Sequence, residues 1–424
     1  MKSKGKIVKT AFHLLLMYTI IYYFIPFLFS LFWWEEFSTT YKMSDNLWVM
    51  LLIPITIFLV YLVNIIIPKF NFGISYWLGL IFYKPSTIIF FSIAMVLVSI
   101  WFSNTYTLSF RQQNILSDVG GLAMALFALK VYFRAYLFGL LLKYAADVKF
   151  TKFDKGILLL IIVCFTLTIM GSFDVIYILT AILLFFDVKK ILGKVSDKKD
   201  VVKRFFKQFA MIFGVAVLVL GILFVGMANK IGVESAKNLF GNIENVGYLF
   251  QHLVLRLSTL YVSLLASADH FFQDAYFAFP AIQGTAQNAY LRIGILAGEN
   301  LGDRPEVWSI NRLNYLNIFI FDYNDRTGAT PGIYSMLFYI PFFPLSMFFV
   351  VGYILYILRS ISSCLSFLKL EVNIFLFVIM LLYMAPLFEN PLAYINILDT
   401  AFLYFLFFIA SLSHIKSSIL KTQK

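Results

Sequence analysis

Residues 247–270 read GYLFQHLVLRLSTLYVSLLASADH, and whether this run crosses a membrane decides the architecture of the chain. On a helix, His252, Arg256, Thr259, Ser263, Ser267 and His270 fall at spacings of 4, 3, 4, 4 and 3. They form one polar stripe opposite Leu253, Leu257, Leu260 and Leu264. A spanning helix would drag that stripe, an arginine included, through hydrocarbon. Counted as a span, it would also move the basic C-terminal tail to the outer side. The run therefore reads as an amphipathic helix lying on, or dipping into, the outer membrane face.

The surrounding sequence is membrane protein throughout. Of 424 residues 61% are hydrophobic and only 13% charged, and the mean hydropathy is +0.86, which excludes a soluble domain. The pattern predicts an all-α integral membrane protein with about ten spans, near 10–32, 47–67, 86–106, 122–142, 156–170, 174–187, 209–228, 331–357, 372–388 and 392–413. The chain divides into an N-terminal membrane region (1–229, about seven spans), a long outer segment (230–330) and a C-terminal membrane region (331–424, about three spans). A basic N-terminus and a run ending in Trp33-Trp34, with no small-residue cleavage site, read as an uncleaved first span.

Of the 34 Lys and Arg residues, 23 then lie in inner segments, which places both termini inside. The net charge of +12 thus reports topology and not nucleic-acid binding. Cys164 and Cys364 fall at different predicted levels and are not expected to pair. The abundant Phe and Tyr read as lipid-facing bulk and interface belts.

The outer segment breaks the charge bias. It keeps Lys230, Lys237, Arg256, Arg292, Arg304, Arg312 and Arg326, although exported loops are normally poor in basic residues. Guanidinium forks suit phosphate oxygens, so Arg256, Arg292, Arg312 and Arg326 are candidate diphosphate ligands. Arg304, between Asp303 and Glu306, and Arg326, after Asp325, also suit local ion pairs. Within the fourth span, Lys130 and Arg134 share one helical face. Charge at that depth is expensive and faces a cavity or a partner. The pair either grips a diphosphate, or Arg134 snorkels inward while Lys130 pairs with Asp118 or Asp174. The short fifth and sixth spans make either an outer vestibule with Asp174 at its floor or a tight helical hairpin. For proton transfer the candidates are His270 beside Asp269, and Glu389 in Phe388-Glu389-Asn390-Pro391. A lone histidine is more often a satisfied polar residue. The sequence carries no Gly-rich phosphate loop and no zinc-type His/Cys spacing, so neither a cofactor nor a metal is expected.

A multi-span chain with a close middle helix pair and a late arginine-bearing outer segment resembles the bacterial O-antigen and capsule repeat-unit polymerases (the Wzy group). Thr330-Pro331-Gly332-Ile333-Tyr334 opening a span is the most specific piece of the likeness, and Arg256 sits where that group places a loop arginine. Glycines after Arg111 and Arg292 depart from the group's arginine-to-glycine spacing. The resemblance implies a GT-C-like, metal-independent glycosyltransferase in the bacterial inner membrane, related to O-antigen ligases. Its active site would be periplasmic. Its partners would be undecaprenyl-diphosphate-linked oligosaccharide, the bilayer, a chain-length regulator and a flippase, with no nucleic acid. A ligase would carry a histidine near a late outer span end, and none lies between His270 and His414. A flippase or transporter would spread cations through many spans. A membrane acyltransferase would find support only in His13.

Overall fold

The computed structural model describes residues 9–32, 47–67, 74–105, 120–169, 172–186, 245–296, 309–319, 329–368 and 374–422, with a few isolated positions in 221–238. Among them every regular element is helical, and the chain forms two compact units, Pro85–Tyr248 and the combination of Met1–Lys84 with Leu249–Lys424. Six helices are long and apolar enough to cross a membrane: Lys9–Phe32, Leu47–Ile66, Pro85–Thr105, Leu122–Ala145, Ser346–Ser366 and Thr400–Ser417. Shorter apolar helices are Asp174–Phe185 and Leu376–Glu389. The protein is an all-α membrane protein. The expected span 209–228 lies almost wholly outside the described residues.

In chain order the helices are α1 (Lys9–Phe32, with a π turn at Ile20–Phe24), α2 (Leu47–Ile66) and α3 (Ile74–Phe82). There follow α4 (Pro85–Thr105), α5 (Gly120–Ala145), α6 (Lys152–Leu167) and α7 (Ser172–Phe185). Then come α8 (Asn245–Gln273), α9 (Phe279–Leu296), α10 (Ile310–Ile318) and the one-turn α11 (Met336–Tyr339). The last are α12 (Ser346–Leu368), α13 (Ile374–Glu389) and α14 (Thr400–Thr422).

The unit Pro85–Tyr248 packs α4, α5, α6 and α7 together. Helix α6 starts at a capping box: the Thr151 hydroxyl accepts from the Asp154 N–H, and the Asp154 carboxylate accepts from the Thr151 N–H. Two orphan donors of the first turn are thereby satisfied. At 16 and 14 residues, α6 and α7 are about 24 and 21 Å long, the short pair expected from sequence.

In the other unit α3 falls inside what the sequence suggested was an inner loop, 68–85. Nine residues are too few to register as a span. It is held by a close approach to α14, where a Cβ on Gly79 would sit 3.0 Å from both the Ala410 carbonyl and the His414 N–H. Tyr83 Oη donates to the Phe407 carbonyl at 3.1 Å.

Three expectations are corrected. The predicted span 331–357 becomes irregular chain followed by α12, because Pro331, Pro341 and Pro344 each lack the N–H that a helix needs. The predicted span 392–413 starts later, at Thr400, where Asp399 Oδ1 caps the Ala401 N–H at 2.8 Å. Over its second half helix α8 is covered by protein on both its leucine and its serine face, where the sequence suggested a leucine face turned to lipid. Leu260, Leu264, Ser263 and Ser267 are all buried; Ser263 Oγ donates to Asn314 Oδ1, and Ser267 Oγ donates back to the Leu264 carbonyl of its own helix.

The irregular stretch 331–339 is buried at every residue. Gly332 turns it at φ +83°, and a Cβ there would collide with the Tyr23 hydroxyl. Gly332→Ala therefore costs about 2 kcal/mol or more. A thermal unfolding midpoint clearly below wild type in detergent is expected, and an unchanged midpoint would contradict this turn.

Candidate functional site

The polar interior of the unit containing Met1–Lys84 and Leu249–Lys424 gathers on that irregular stretch. Asn314 on α10, fully buried, is its hub. Its Oδ1 accepts from Ser263 Oγ of α8 at 2.6 Å and from Tyr339 Oη at 2.8 Å, and its Nδ2 donates to the Ala329 carbonyl at 3.0 Å. Ser335 Oγ reaches Ser263 Oγ at 3.2 Å and donates to the Pro331 carbonyl at 2.5 Å. A buried amide with this many partners costs little to bury.

Two more bonds bring the end of α13 into the same knot. The Gly332 N–H donates to the Glu389 carbonyl at 2.7 Å, and Asn390 Nδ2 donates to Asn311 Oδ1 at 2.7 Å. Asn311 also accepts, through its carbonyl, the Ala329 N–H at 2.9 Å. Arg312 is the next residue of α10, whose start is fixed by Ser309 Oγ accepting the Arg312 N–H at 3.2 Å. The structure thus joins the Arg312 helix, the Thr330-Pro331-Gly332 turn and the Glu389 corner by direct hydrogen bonds.

Exposure separates what these residues can do. The Arg312 side chain is only 1% exposed, its guanidinium 5.7 Å from the Tyr315 ring centroid. It is a fixed cation behind the site and not an open ligand. Glu389 is half-buried. Around it Asn390 Oδ1 and Tyr23 Oη are buried and have no hydrogen-bond partner among the described residues, so each retains capacity for a hydroxyl.

His270, near the end of α8, is half-buried and stacks on Phe277, with ring centroids 5.7 Å apart at 21°. Burial lowers the imidazole below its ordinary pKa, and the Asp269 charge works in the opposite direction. A ring packed on Phe277 fits the satisfied-residue reading weighed for it. The side chains of Arg256 and Arg292 lie outside the described residues, although their backbones belong to α8 and α9. Arg326 lies outside them altogether.

In the unit Pro85–Tyr248, Lys130 and Arg134 both meet Asp174. Lys130 Nζ donates to Asp174 Oδ2 at 2.9 Å and Arg134 Nη2 to Asp174 Oδ1 at 2.6 Å. Lys130 Nζ also donates to the Thr168 carbonyl, and the Arg134 guanidinium lies 4.8 Å from the Tyr177 ring centroid. Asp174 is 3% exposed, so it is the interior clasp of a hairpin and not the floor of an open vestibule. The pairing weighed for Lys130 holds. Arg134 turns to the same carboxylate and does not snorkel inward. With one carboxylate serving both cations, the triad pins α5 to α7.

Sequence reasoning missed Asn314, Asn311, Ser335 and Tyr339, because uncharged polar residues in an apolar chain carry no periodic signal. Asn311, Asn314 and Asn317 at three-residue spacing on a short helix were the available hint. Among the described residues no three His, Cys, Asp or Glu side chains gather as a metal site. Cys164 and Cys364 are both free and buried. Compared with known proteins, the chain matches no family model, no curated protein and no solved structure.

Removing the shared anion strands a fully buried ammonium. Asp174→Ala is expected to cost about 3–5 kcal/mol. Lys130→Met, which leaves Asp174 with Arg134, costs less. Thermal unfolding of the two variants in detergent checks the order, and equal or reversed losses would reject the clasp.

Proposed function

We propose that this protein is a membrane glycosyltransferase that joins lipid-diphosphate-linked oligosaccharide repeat units into a longer polysaccharide, as its resemblance to the O-antigen and capsule polymerases implies. One observation supports it above the others. The three pieces on which a polymerase reading depends, an outer-segment arginine helix, the Thr330-Pro331-Gly332 turn and the end of α13 at Glu389, are hydrogen-bonded into one knot, Glu389 through its backbone carbonyl.

In the reaction a hydroxyl of the incoming unit attacks the anomeric carbon of the growing chain. A new glycosidic C–O bond forms, the bond to the diphosphate breaks, and undecaprenyl diphosphate leaves with the electron pair. Glu389 takes the hydroxyl proton, with Asn390 and Tyr23 orienting that hydroxyl. Arg312 adds fixed positive potential where negative charge grows, which counts for most in a low-dielectric setting. Arg256 and Arg292 are the residues assigned to direct grip of the diphosphate, since the guanidinium fork matches its oxygens. The site faces the periplasm of a bacterial inner membrane, with both termini cytoplasmic.

Glu389→Gln keeps size and hydrogen bonding but cannot accept the proton. Surface glycan is expected to collapse to single repeat units, with the protein still present in the membrane at wild-type level. Arg256→Ala is expected to give the same short product. Unchanged long-chain ladders on a gel in the Glu389→Gln strain would reject the assignment of the base.

A further inference from the structure

The turn between α8 and α9, inside the segment that the sequence reads as lying outside the bilayer, carries an unusual load of exposed aromatic surface. Phe272 is 50% exposed, Tyr276 58% and Phe279 57%. Singly such residues need no explanation, but a contiguous apolar patch does. Here the rings touch the ends of two spanning helices. Phe272 lies 5.7 Å from Trp48, at the start of α2, and Tyr276 lies 6.2 Å edge-on from Phe342, just before α12.

Those two spans fix what covers the patch. The exposed face of α2 continues from Trp48 through Leu51 and Ile55, and that of α12 from Leu345 through Phe348. On helices long and apolar enough to cross a membrane, such faces meet lipid. The aromatic tip is continuous with both. It also stands at the end of each helix that the basic-residue bias assigns to the outer side.

Depth follows from the polar members of the tip. Gln273 and Asp274 are exposed beside the rings, and Asp274 Oδ1 accepts the Tyr276 N–H at 2.9 Å. An aspartate in the hydrocarbon centre is costly, by about 3 kcal/mol on insertion scales. Tyr and Trp, in contrast, favour the headgroup boundary, where the ring is buried and the polar edge stays wet. No basic residue lies within residues 271–280, so the attraction is apolar and does not depend on anionic lipid.

We propose that the α8–α9 turn, residues 271–279, is a membrane anchor seated in the outer-leaflet interface, its partner the lipid at the boundary between headgroups and acyl chains. The anchor holds the turn at membrane depth, and with it the His270–Phe277 stack and the α8 helix that supplies Ser263 to the buried knot. It does not depend on the proposed enzymatic activity.

The test uses full-length protein in lipid nanodiscs, with an environment-sensitive fluorophore on Tyr276→Cys and, separately, on Phe279→Cys. The two native cysteines are buried. Quenchers are a nitroxide placed high on the lipid acyl chain, a nitroxide near the chain end, and aqueous iodide. The anchor predicts that both probes lose most of their fluorescence to the shallow nitroxide, less to the deep one, and little to iodide. Quenching by iodide alone at either site would overturn the proposal, because the turn would then be in water. Strongest quenching by the deep nitroxide would overturn the interfacial placement. Equal results in zwitterionic and anionic nanodiscs are expected, and quenching confined to anionic lipid would contradict an apolar anchor.

Discussion

Every buried backbone polar group must find a partner, and residues 331–335 meet that demand without a helix. A buried N–H or C=O left without a partner costs free energy, so irregular backbone survives in the interior only when other groups answer it. The stretch 331–339 is covered at every residue. Its groups are answered from α8 through Ser263, from α10 through Asn311 and Asn314, and from α13 through the Glu389 carbonyl. The prolines that stop the helix and the glycine that turns the chain create that demand. The arrangement of α8 and α10 follows from meeting it.

Charge is handled in two distinct ways. In the unit Pro85–Tyr248 a single aspartate is clasped by a lysine and an arginine, which costs desolvation but ties α5 to α7. In the other unit Arg312 is buried with its guanidinium 5.7 Å from the Tyr315 ring centroid, and the half-buried Glu389 stands at the corner that Asn390 and Asn311 bond to its helix. The first arrangement is closed and structural. The second sets a half-buried acid beside buried polar atoms that have no hydrogen-bond partner among the described residues, a combination that suits the proposed transfer to a hydroxyl.

Hydropathy and basic-residue bias made the helical membrane class and four of the long spans legible to within a few residues, because each is set by length and composition alone. The shortness of α6 and α7 was equally plain. Helix α3 was not, since its nine residues fall below any span criterion and its place depends on Gly79 meeting a distant part of the chain. The protein cover over the second half of α8 was hidden for a related reason. A stripe of Ser, Thr and His looks the same whether it faces water or other protein, and the asparagine that answers Ser263 lies 51 residues away. Arg312 and Glu389 were visible as candidates because charge stands out in an apolar chain. The bonds that bring them to one corner run between uncharged side chains, which no pattern marks.

Glycan transfer at the periplasmic face requires the segment between α8 and α10 to lie on the outer side of the membrane. Tyr290 on α9 is 79% exposed, so a thiol in a Tyr290→Cys variant reports the side directly. A membrane-impermeant maleimide added to intact cells with opened outer membranes is predicted to label it fully. Labelling that appears only after the inner membrane is permeabilised would place the segment in the cytosol and contradict the account.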